Sequence, residues 1–148
     1  MAAIVQKNGT KNEGVRGLTR SFPVWAAILQ NRAMLEAPAL PLLDEASYHP
    51  RLSRTRGSAL VLFSSPDCGS CRRVETRLPV AAPPGVALFK VDVQAATALA
   101  RAFDIFHLPT LFLYREGRFH ARLDCEVSAP ALAEALERAL AQPAQEEP

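Results

Sequence analysis

The sequence predicts an α/β fold in which a central mixed β-sheet has helices on both faces. Two runs of strand length carry this prediction: Ala59–Phe63 is continuously apolar, as is typical of a central strand covered on both sides, and Val86–Val93 is predicted to be a second buried strand. Each run is followed by a segment of helical character, and the chain then continues with a hairpin and a last helix. The 148 residues suffice for one core, so we expect a single domain at residues 38–142.

The first elements of this domain are short. Leu42–Asp44 reads as a strand and Glu45–Leu52 as an irregular helix, and both precede the first central strand. After that strand, Arg72–Leu78 has helical character, and Pro79 should end the helix because proline lacks the backbone N–H that a helix interior needs.

The second central strand is followed by another helix and then by the hairpin. Residues 95–103 place apolar side chains on one helical face, at Ala96, Leu99, Ala100 and Phe103. Thr110–Tyr114 is the next predicted strand, and Arg115–Gly117 is a tight turn. The strand after the turn should have one solvated face, because Phe119, Ala121 and Leu123 alternate with His120 and Arg122.

The last predicted element is an amphipathic helix that Ser128 can cap. Leucines recur every four residues along it, at Leu132, Leu136 and Leu140. On its outer face we expect an ion pair between Glu134 and Arg138.

Both ends of the chain lie outside the predicted domain. Residues 1–37 form an N-terminal extension that we expect to be partly disordered, and residues 143–148 a polar, disordered tail. Val24–Leu35 reads as a short helix lying on the domain, with a partner or membrane contact as the alternative. Translation starting at Met34 is a third alternative, under which the upstream residues would be irrelevant.

Charge and cysteine content exclude several classes of function. The net charge of +2 is small, and we find no basic run interleaved with aromatics, no glycine-rich phosphate loop and no zinc-ligand spacing. We therefore expect no nucleic acid partner, no metal and no bound cofactor. Three cysteines including one close pair fit a reducing compartment, so we expect a cytoplasmic protein.

A secreted or anchored protein is the alternative, because basic residues precede the apolar stretch Phe22–Leu29. That stretch is far shorter than the ~20 residues that span a bilayer. We therefore expect no membrane association, and a periplasmic or membrane-tethered location remains the alternative.

Cys68-Gly69-Ser70-Cys71 lies between a predicted buried strand and a helix. If the helix begins at Cys68, both sulfurs lie on one face and are close enough to form a disulfide. The helix terminus favours a thiolate at Cys68, which is therefore the predicted nucleophile. Cys71 lies one turn further in, and its predicted role is to resolve the mixed disulfide.

With this motif in place, the chain resembles the thioredoxin family from about Ala39 to Leu140. Leu108-Pro109-Thr110 resembles the family's cis-proline loop, which lies against the dithiol and offers backbone hydrogen bonds to a substrate segment. Lys90-Val-Asp-Val93 matches the second central strand with its lysine, and Gly117 matches the glycine of the hairpin turn. The resemblance implies a thioredoxin fold and a substrate groove at Asp67, Gly69, Ser70, Leu108, Pro109 and Cys125.

The motif departs from the family pattern at three positions. Asp67 replaces the usual tryptophan and Ser70 the usual proline, and Leu62 stands where many thioredoxins carry a buried acid. The carboxylate of Asp67 should oppose a thiolate at Cys68. Without an acid at position 62, resolution by Cys71 should be slow, or Lys90 and water would have to accept its proton.

Cys125 falls where the family pattern normally has a glycine beside the substrate groove. We interpret it as a half-buried thiol that fills space, with a second mixed disulfide or a metal ligand as alternatives. His107 and His120 are interpreted as a loop residue and a residue of the solvated strand face, not as ligands.

The expected function is that of a thiol–disulfide oxidoreductase acting on protein disulfides in cell redox homeostasis. Its redox-active disulfide would be Cys68–Cys71, and a separate reductase would supply electrons. The alternative is a thioredoxin-like redox-sensing or partner-binding module with little turnover.

Overall fold

Five strands form one mixed sheet in the computed structural model, which describes residues 39–148. The strands are β1 (Leu42–Leu43), β2 (Ser58–Ser64), β3 (Ala87–Asp92), β4 (Thr110–Arg115) and β5 (Arg118–Leu123). Their spatial order is β1-β3-β2-β4-β5, with β3 parallel to both β1 and β2, and with β4 antiparallel to β2 and β5. This arrangement confirms the predicted mixed sheet.

Helices cover both faces of the sheet, as predicted. They are α1 (Tyr48–Ser53), α2 (Gly69–Ala81), α3 (Thr97–Ala102) and α4 (Ala129–Leu140). One apolar cluster joins α1 and α3 to one face, and a second joins α2 and α4 to the other. Strand β2 contributes Val61 and Phe63 to the first cluster and Leu60 and Leu62 to the second, which is why its sequence is apolar from Ala59 to Phe63.

Helix α2 continues through Pro79, where we predicted its end. A proline there removes only one hydrogen bond, to the carbonyl of Glu75, and the helix ends two residues later. Leu78 and Ala81 are buried in the second cluster, and the amide of Ala82 donates to the carbonyl of Leu78. Burial of this last turn therefore outweighs the lost hydrogen bond.

The prediction that His120 lies on a solvated strand face is wrong. A β-bulge in the β4–β5 ladder pairs Leu113 with Ala121 and Tyr114 with Phe119, which leaves His120 as the extra residue. His120 is buried, and its Nε2 donates to the carbonyl of Ala139 at 2.8 Å. The bulge also places Phe119 and Leu123 in clusters on opposite faces, so the predicted alternation does not hold along β5.

Gln145, within the tail 143–148 for which the sequence predicts disorder, contacts β5 through two hydrogen bonds. The amide of Gln145 donates to the carbonyl of His120 at 2.7 Å, and its side-chain Oε1 accepts from the amide of Arg122 at 3.0 Å. Strand β5 is at the edge of the sheet, where backbone groups lack a neighbouring strand. The tail supplies partners for two of those groups.

The last helix, α4, has the ion pair and the N-cap residue that the sequence predicts. The exposed Glu134–Arg138 ion pair is present on α4, with 3.7 Å between its charged atoms. Ser128 occupies the N-cap position of α4, although its side chain makes no capping hydrogen bond. The expected N-terminal extension and its short helix lie outside the described residues.

Within residues 39–148, every helix is too short or too polar to cross a bilayer.

Candidate functional site

The candidate site lies where β2 ends and α2 begins. Strand β2 runs through the centre of the sheet and stops at Ser64, and a short loop then leads to Cys68. The amide of Cys68 donates to the carbonyl of Ser65 at 3.2 Å, which closes this loop. Cys68 has an extended backbone conformation and is the N-cap residue of α2. The cysteine motif is thus held at the N-terminus of a helix that packs on the sheet.

Cys68 and Cys71 form a disulfide. Their Cα atoms are 5.2 Å apart, within the usual range for disulfides. Cys71 is fully buried, whereas Cys68 is only half-buried. The sulfur of Cys68 is therefore the one that a partner protein reaches more easily.

Two hydrogen-bond donors surround the sulfur of Cys68. It accepts from the backbone amide of Cys71 at 3.2 Å, and the hydroxyl of Ser70 lies at the same distance from it, 3.2 Å. Amide donors at a helix N-terminus stabilise negative charge on a sulfur. These contacts favour a thiolate at Cys68 once the disulfide is reduced.

The side chain of Asp67 is exposed and accepts a hydrogen bond from Gln94. Its Oδ2 accepts from Nε2 of Gln94 at 3.0 Å, and this bond links the loop before α2 to the loop after β3. The backbone amide of Gln94 in turn donates to Oδ1 of Asp92 at 2.9 Å. Within residues 39–148, the carboxylate next to Cys68 is thus held by a neutral donor and not by a cation.

A groove of about 290 Å³ brings together three of the predicted groove residues, Ser70, Pro109 and Cys125. Neither Cys68 nor Cys71 lines it, but the hydroxyl of Ser70 contacts the sulfur of Cys68. Its floor is apolar and includes Leu62 and Leu123. Asp67, Gly69 and Leu108 are not among its lining residues. The Leu108–Pro109 peptide bond is cis.

Charged side chains line this groove from two sides. Arg73 and Arg77 lie one turn apart on α2, and Asp124 and Glu126 lie in the segment after β5. The groove thus carries both signs of charge around an apolar floor.

Cys125 is a half-buried free thiol in this groove. It packs against the cluster that joins α2 and α4 to the sheet. Burial raises the pKa of its thiol, and the nearby carboxylate of Asp124 raises that pKa further. Cys125 is therefore a poor nucleophile at neutral pH.

Glu75, which was not predicted as a site residue, lies one helical turn after Cys71. Its Oε1 accepts from the hydroxyl of Ser64 at 2.8 Å, and its Oε2 is 3.1 Å from Nζ of Lys90. Both partners are in the sheet beneath α2, so the carboxylate points inward from the helix. The spacing of four residues from Cys71 was the available signal, because residues so spaced share a helix face.

Among residues 39–148, no three His, Cys, Asp or Glu side chains are grouped so that they could hold a metal ion. His107 is an exposed loop residue, as predicted.

Residues 40–138 match the Thioredoxin family. Among curated proteins, human protein disulfide-isomerase A4 is 40% identical over 65 residues, which are 40% of this chain and 10% of that protein. The bovine protein of the same name is 38% identical over 65 residues, with the same coverage. The chain thus spans about a tenth of the length of these relatives.

Solved structures share the fold at low sequence identity. The zinc-bound form of human ERp44 has a TM-score of 0.58 and 22% identity, over 67% of this chain and 31% of that one. A chain from the structural study of the thiol resolving mechanism in yeast mitochondrial 1-Cys peroxiredoxin via glutathione/thioredoxin systems has a TM-score of 0.54 and 18% identity. That match covers 70% of this chain and 94% of the other.

Proposed function

Because this chain belongs to the thioredoxin family, we propose that it is an oxidoreductase that reduces or isomerises disulfides in partner proteins through Cys68 and Cys71. The observation that carries the proposal is the Cys68–Cys71 disulfide at the N-terminus of α2, with one sulfur accessible and the other buried. The partial sequence match to protein disulfide-isomerase A4 supports it.

The first step is attack by the Cys68 thiolate on a partner disulfide. A bond forms between Cys68 Sγ and one partner sulfur, and the other partner sulfur leaves as a thiolate. The amide of Cys71 and the hydroxyl of Ser70 stabilise the attacking sulfur. The groove beside Ser70 and Pro109 is where we place the partner segment during this covalent stage.

The second step is attack by Cys71 on Cys68 Sγ. The Cys68–Cys71 disulfide forms, the bond to the partner breaks, and the partner's second sulfur leaves as a thiolate. Two electrons have then passed from the dithiol to the partner. A separate dithiol reductase, which we propose as the electron donor, returns the protein to its reduced state.

An insulin reduction assay with dithiothreitol as donor tests this function. We expect catalysed precipitation of the insulin B chain with the full chain, and only the uncatalysed rate with Cys68→Ser. Equal rates with and without the full chain would contradict the proposed activity.

The second candidate function is a redox-sensing or partner-binding module with little turnover. Leu62 is fully buried among apolar side chains, so β2 offers no carboxylate to accept a proton from Cys71. A disulfide that forms and opens reversibly, with negligible turnover of insulin, would support this candidate over the first.

We further propose a cytoplasmic location, supported by the presence of one close cysteine pair and one other cysteine. The alternative is a periplasmic or membrane-tethered protein. Mass spectrometry of the protein from its native source distinguishes them, because cleavage after the apolar stretch Phe22–Leu29 would indicate export.

A further inference from the structure

Cys71 is buried, so its thiol needs a nearby group that can accept its proton when it attacks Cys68. In the second step proposed above, Cys71 must lose its proton before or while it attacks Cys68. Its side chain is fully buried, so bulk water does not reach the sulfur directly. Burial also disfavours a free thiolate. A base near Cys71 would remove this obstacle.

Glu75 is placed to be that base. It follows Cys71 by four residues on α2, and side chains with this spacing lie next to each other on a helix. The hydroxyl of Ser64 and the ammonium of Lys90 hold its carboxylate on the side of α2 that faces the sheet. The side chain of Glu75 is 27% exposed, so it can release a proton to solvent after receiving one.

We propose that Glu75 accepts the proton of Cys71 during resolution of the mixed disulfide, an inference that rests on the function proposed above. The thiol proton moves to the Glu75 carboxylate, and the Cys71 sulfur forms its bond to Cys68 Sγ. The bond between Cys68 and the partner breaks, and the leaving thiolate takes a proton from solvent. Glu75 then returns its proton to solvent, so no additional oxidant or reductant is needed.

A purely electrostatic role for Glu75 makes the opposite prediction. A fixed negative charge near Cys71 disfavours a second negative charge there. If Glu75 acted only through its charge, Glu75→Gln would speed the attack by Cys71. If it accepts the proton, the same substitution slows the attack. The sign of the change therefore separates the two roles.

The reaction with 5,5′-dithiobis(2-nitrobenzoate) resolves the two steps. Attack by Cys68 releases one coloured thiolate, and attack by Cys71 on the resulting mixed disulfide releases a second. We would use the reduced full chain carrying Cys125→Ala, so that no third thiol contributes. We expect Glu75→Gln to leave the first phase within about twofold and to slow the second at least tenfold, since general-base catalysis contributes roughly 10²–10⁴-fold.

Glu134→Gln is the matched control, because it removes the same charge from an exposed ion pair on α4. It should change neither phase. A second phase that is unchanged or faster in Glu75→Gln would overturn the role of Glu75 and leave the oxidoreductase proposal intact. Absence of a second phase in the Cys125→Ala chain itself would instead count against the oxidoreductase proposal.

The pH dependence gives a readout that a loss of structure does not mimic. With Glu75 present, we expect the second phase to vary little between pH 6 and 8. In Glu75→Gln it should rise about tenfold per pH unit, because hydroxide must then remove the proton. Within residues 39–148, Lys90 of β3 is the titratable group in contact with Glu75, and Asp92 is the β3 residue in register with Ser64. The chains with Glu75 and with Glu75→Gln both retain these two residues.

If Glu75→Gln does not fold, Ser64→Ala provides the test. It removes the hydroxyl that holds Oε1 of Glu75 and leaves both carboxylate and ammonium in place. We expect a several-fold slower second phase with an unchanged first phase. Two unchanged phases would contradict the proposal.

Discussion

The backbone amide of Cys71 donates to the sulfur of Cys68 at 3.2 Å, so the buried cysteine stabilises the accessible one. The carboxylate of Asp67, the preceding residue, opposes this effect. At ~6 Å in mostly aqueous surroundings, such a charge disfavours a thiolate by roughly 0.7 kcal/mol. The helix terminus favours it by typically 0.3–1 kcal/mol, so the two effects are of similar size.

Asp67→Asn should therefore speed alkylation of Cys68. We expect iodoacetamide to react about threefold faster at pH 7 in 10 mM salt, measured on reduced protein carrying Cys71→Ser. In 1 M salt the difference should largely disappear, because exposed charges are then screened. A rate that does not respond to Asp67→Asn at low salt would contradict an electrostatic effect of this carboxylate on the Cys68 thiolate.

Cys125 should be the slower thiol. Burial and the charge of Asp124 raise its pKa, so little thiolate is present at pH 7. We expect mass spectrometry to find Cys68 modified before Cys125 at pH 7, and modification of Cys125 to accelerate towards pH 10. Asp124→Asn should accelerate it at pH 8. Equal rates for the two cysteines at pH 7 would contradict this expectation.

The buried pair Tyr48 and Tyr114 should make stability fall at high pH. Their hydroxyls are 2.7 Å apart, and burial raises the pKa of both phenols above that of a free tyrosine. Tyrosines in the unfolded chain ionise near pH 10, whereas these two stay protonated in the folded protein. The stability that they contribute is thus complete below about pH 10 and is lost as the pH rises further.

Urea unfolding between pH 8 and 11 measures this effect. We expect the free energy of unfolding to fall above about pH 10, and to fall less steeply in Tyr48→Phe. That variant should also lose about 1 kcal/mol at pH 8, because the hydrogen bond to Tyr114 is gone. Parallel curves for the two proteins would contradict the assignment.

Gly117 should be less replaceable than Gly57, although both glycines have positive φ. A Cβ at Gly117, where φ is +77°, would lie 2.8 Å from the carbonyl oxygen of Leu52 and 2.9 Å from Cα of Ser53. Gly57 has φ of +71°, but an added Cβ would meet no atom within 4 Å. Gly117→Ala thus combines backbone strain with a clash between the hairpin turn and the end of α1, whereas Gly57→Ala has the strain alone.

The difference in the free energy of unfolding between the two variants, measured with urea, gives the cost of the clash. We expect Gly57→Ala to lose about 1–2 kcal/mol from the left-handed backbone alone. Gly117→Ala should lose about 1–3 kcal/mol more, because backbone atoms of α1 must move. Equal losses would mean that the turn shifts freely away from α1.

The sequence was sufficient to predict the sheet, because its signals are local. The apolar run Ala59–Phe63 and the spacing of Leu132 and Leu136 on α4 each reflect burial of the residues themselves. The bulge at His120 depends instead on how β5 pairs with β4, and alternation along one strand does not contain that information. For the same reason, the position of the tail beside Arg122 was not predictable from its polar composition.

In the site too, features set by neighbouring residues were predictable from the sequence, and features set by residues from separate strands were not. Cys68 and Cys71 are close in sequence, and their pairing followed from helical spacing. Glu75 was missed because its partners, Ser64 and Lys90, come from two separate strands. The family pattern predicts a buried acid at position 62 on β2, where this chain has Leu62, and does not predict an acid on α2, where this chain has Glu75.

The most direct test of the proposed function is to capture the intermediate between the two steps. The reduced full chain carrying Cys71→Ser is mixed with insulin, and the product is analysed by mass spectrometry without reductant. We predict an adduct whose mass is that of the chain plus one whole insulin molecule, linked at Cys68 and released by dithiothreitol, because a single attack opens only one insulin disulfide. If no such adduct forms while the unmodified chain still reduces insulin, or if the link is at Cys125, then Cys68 is not the nucleophile.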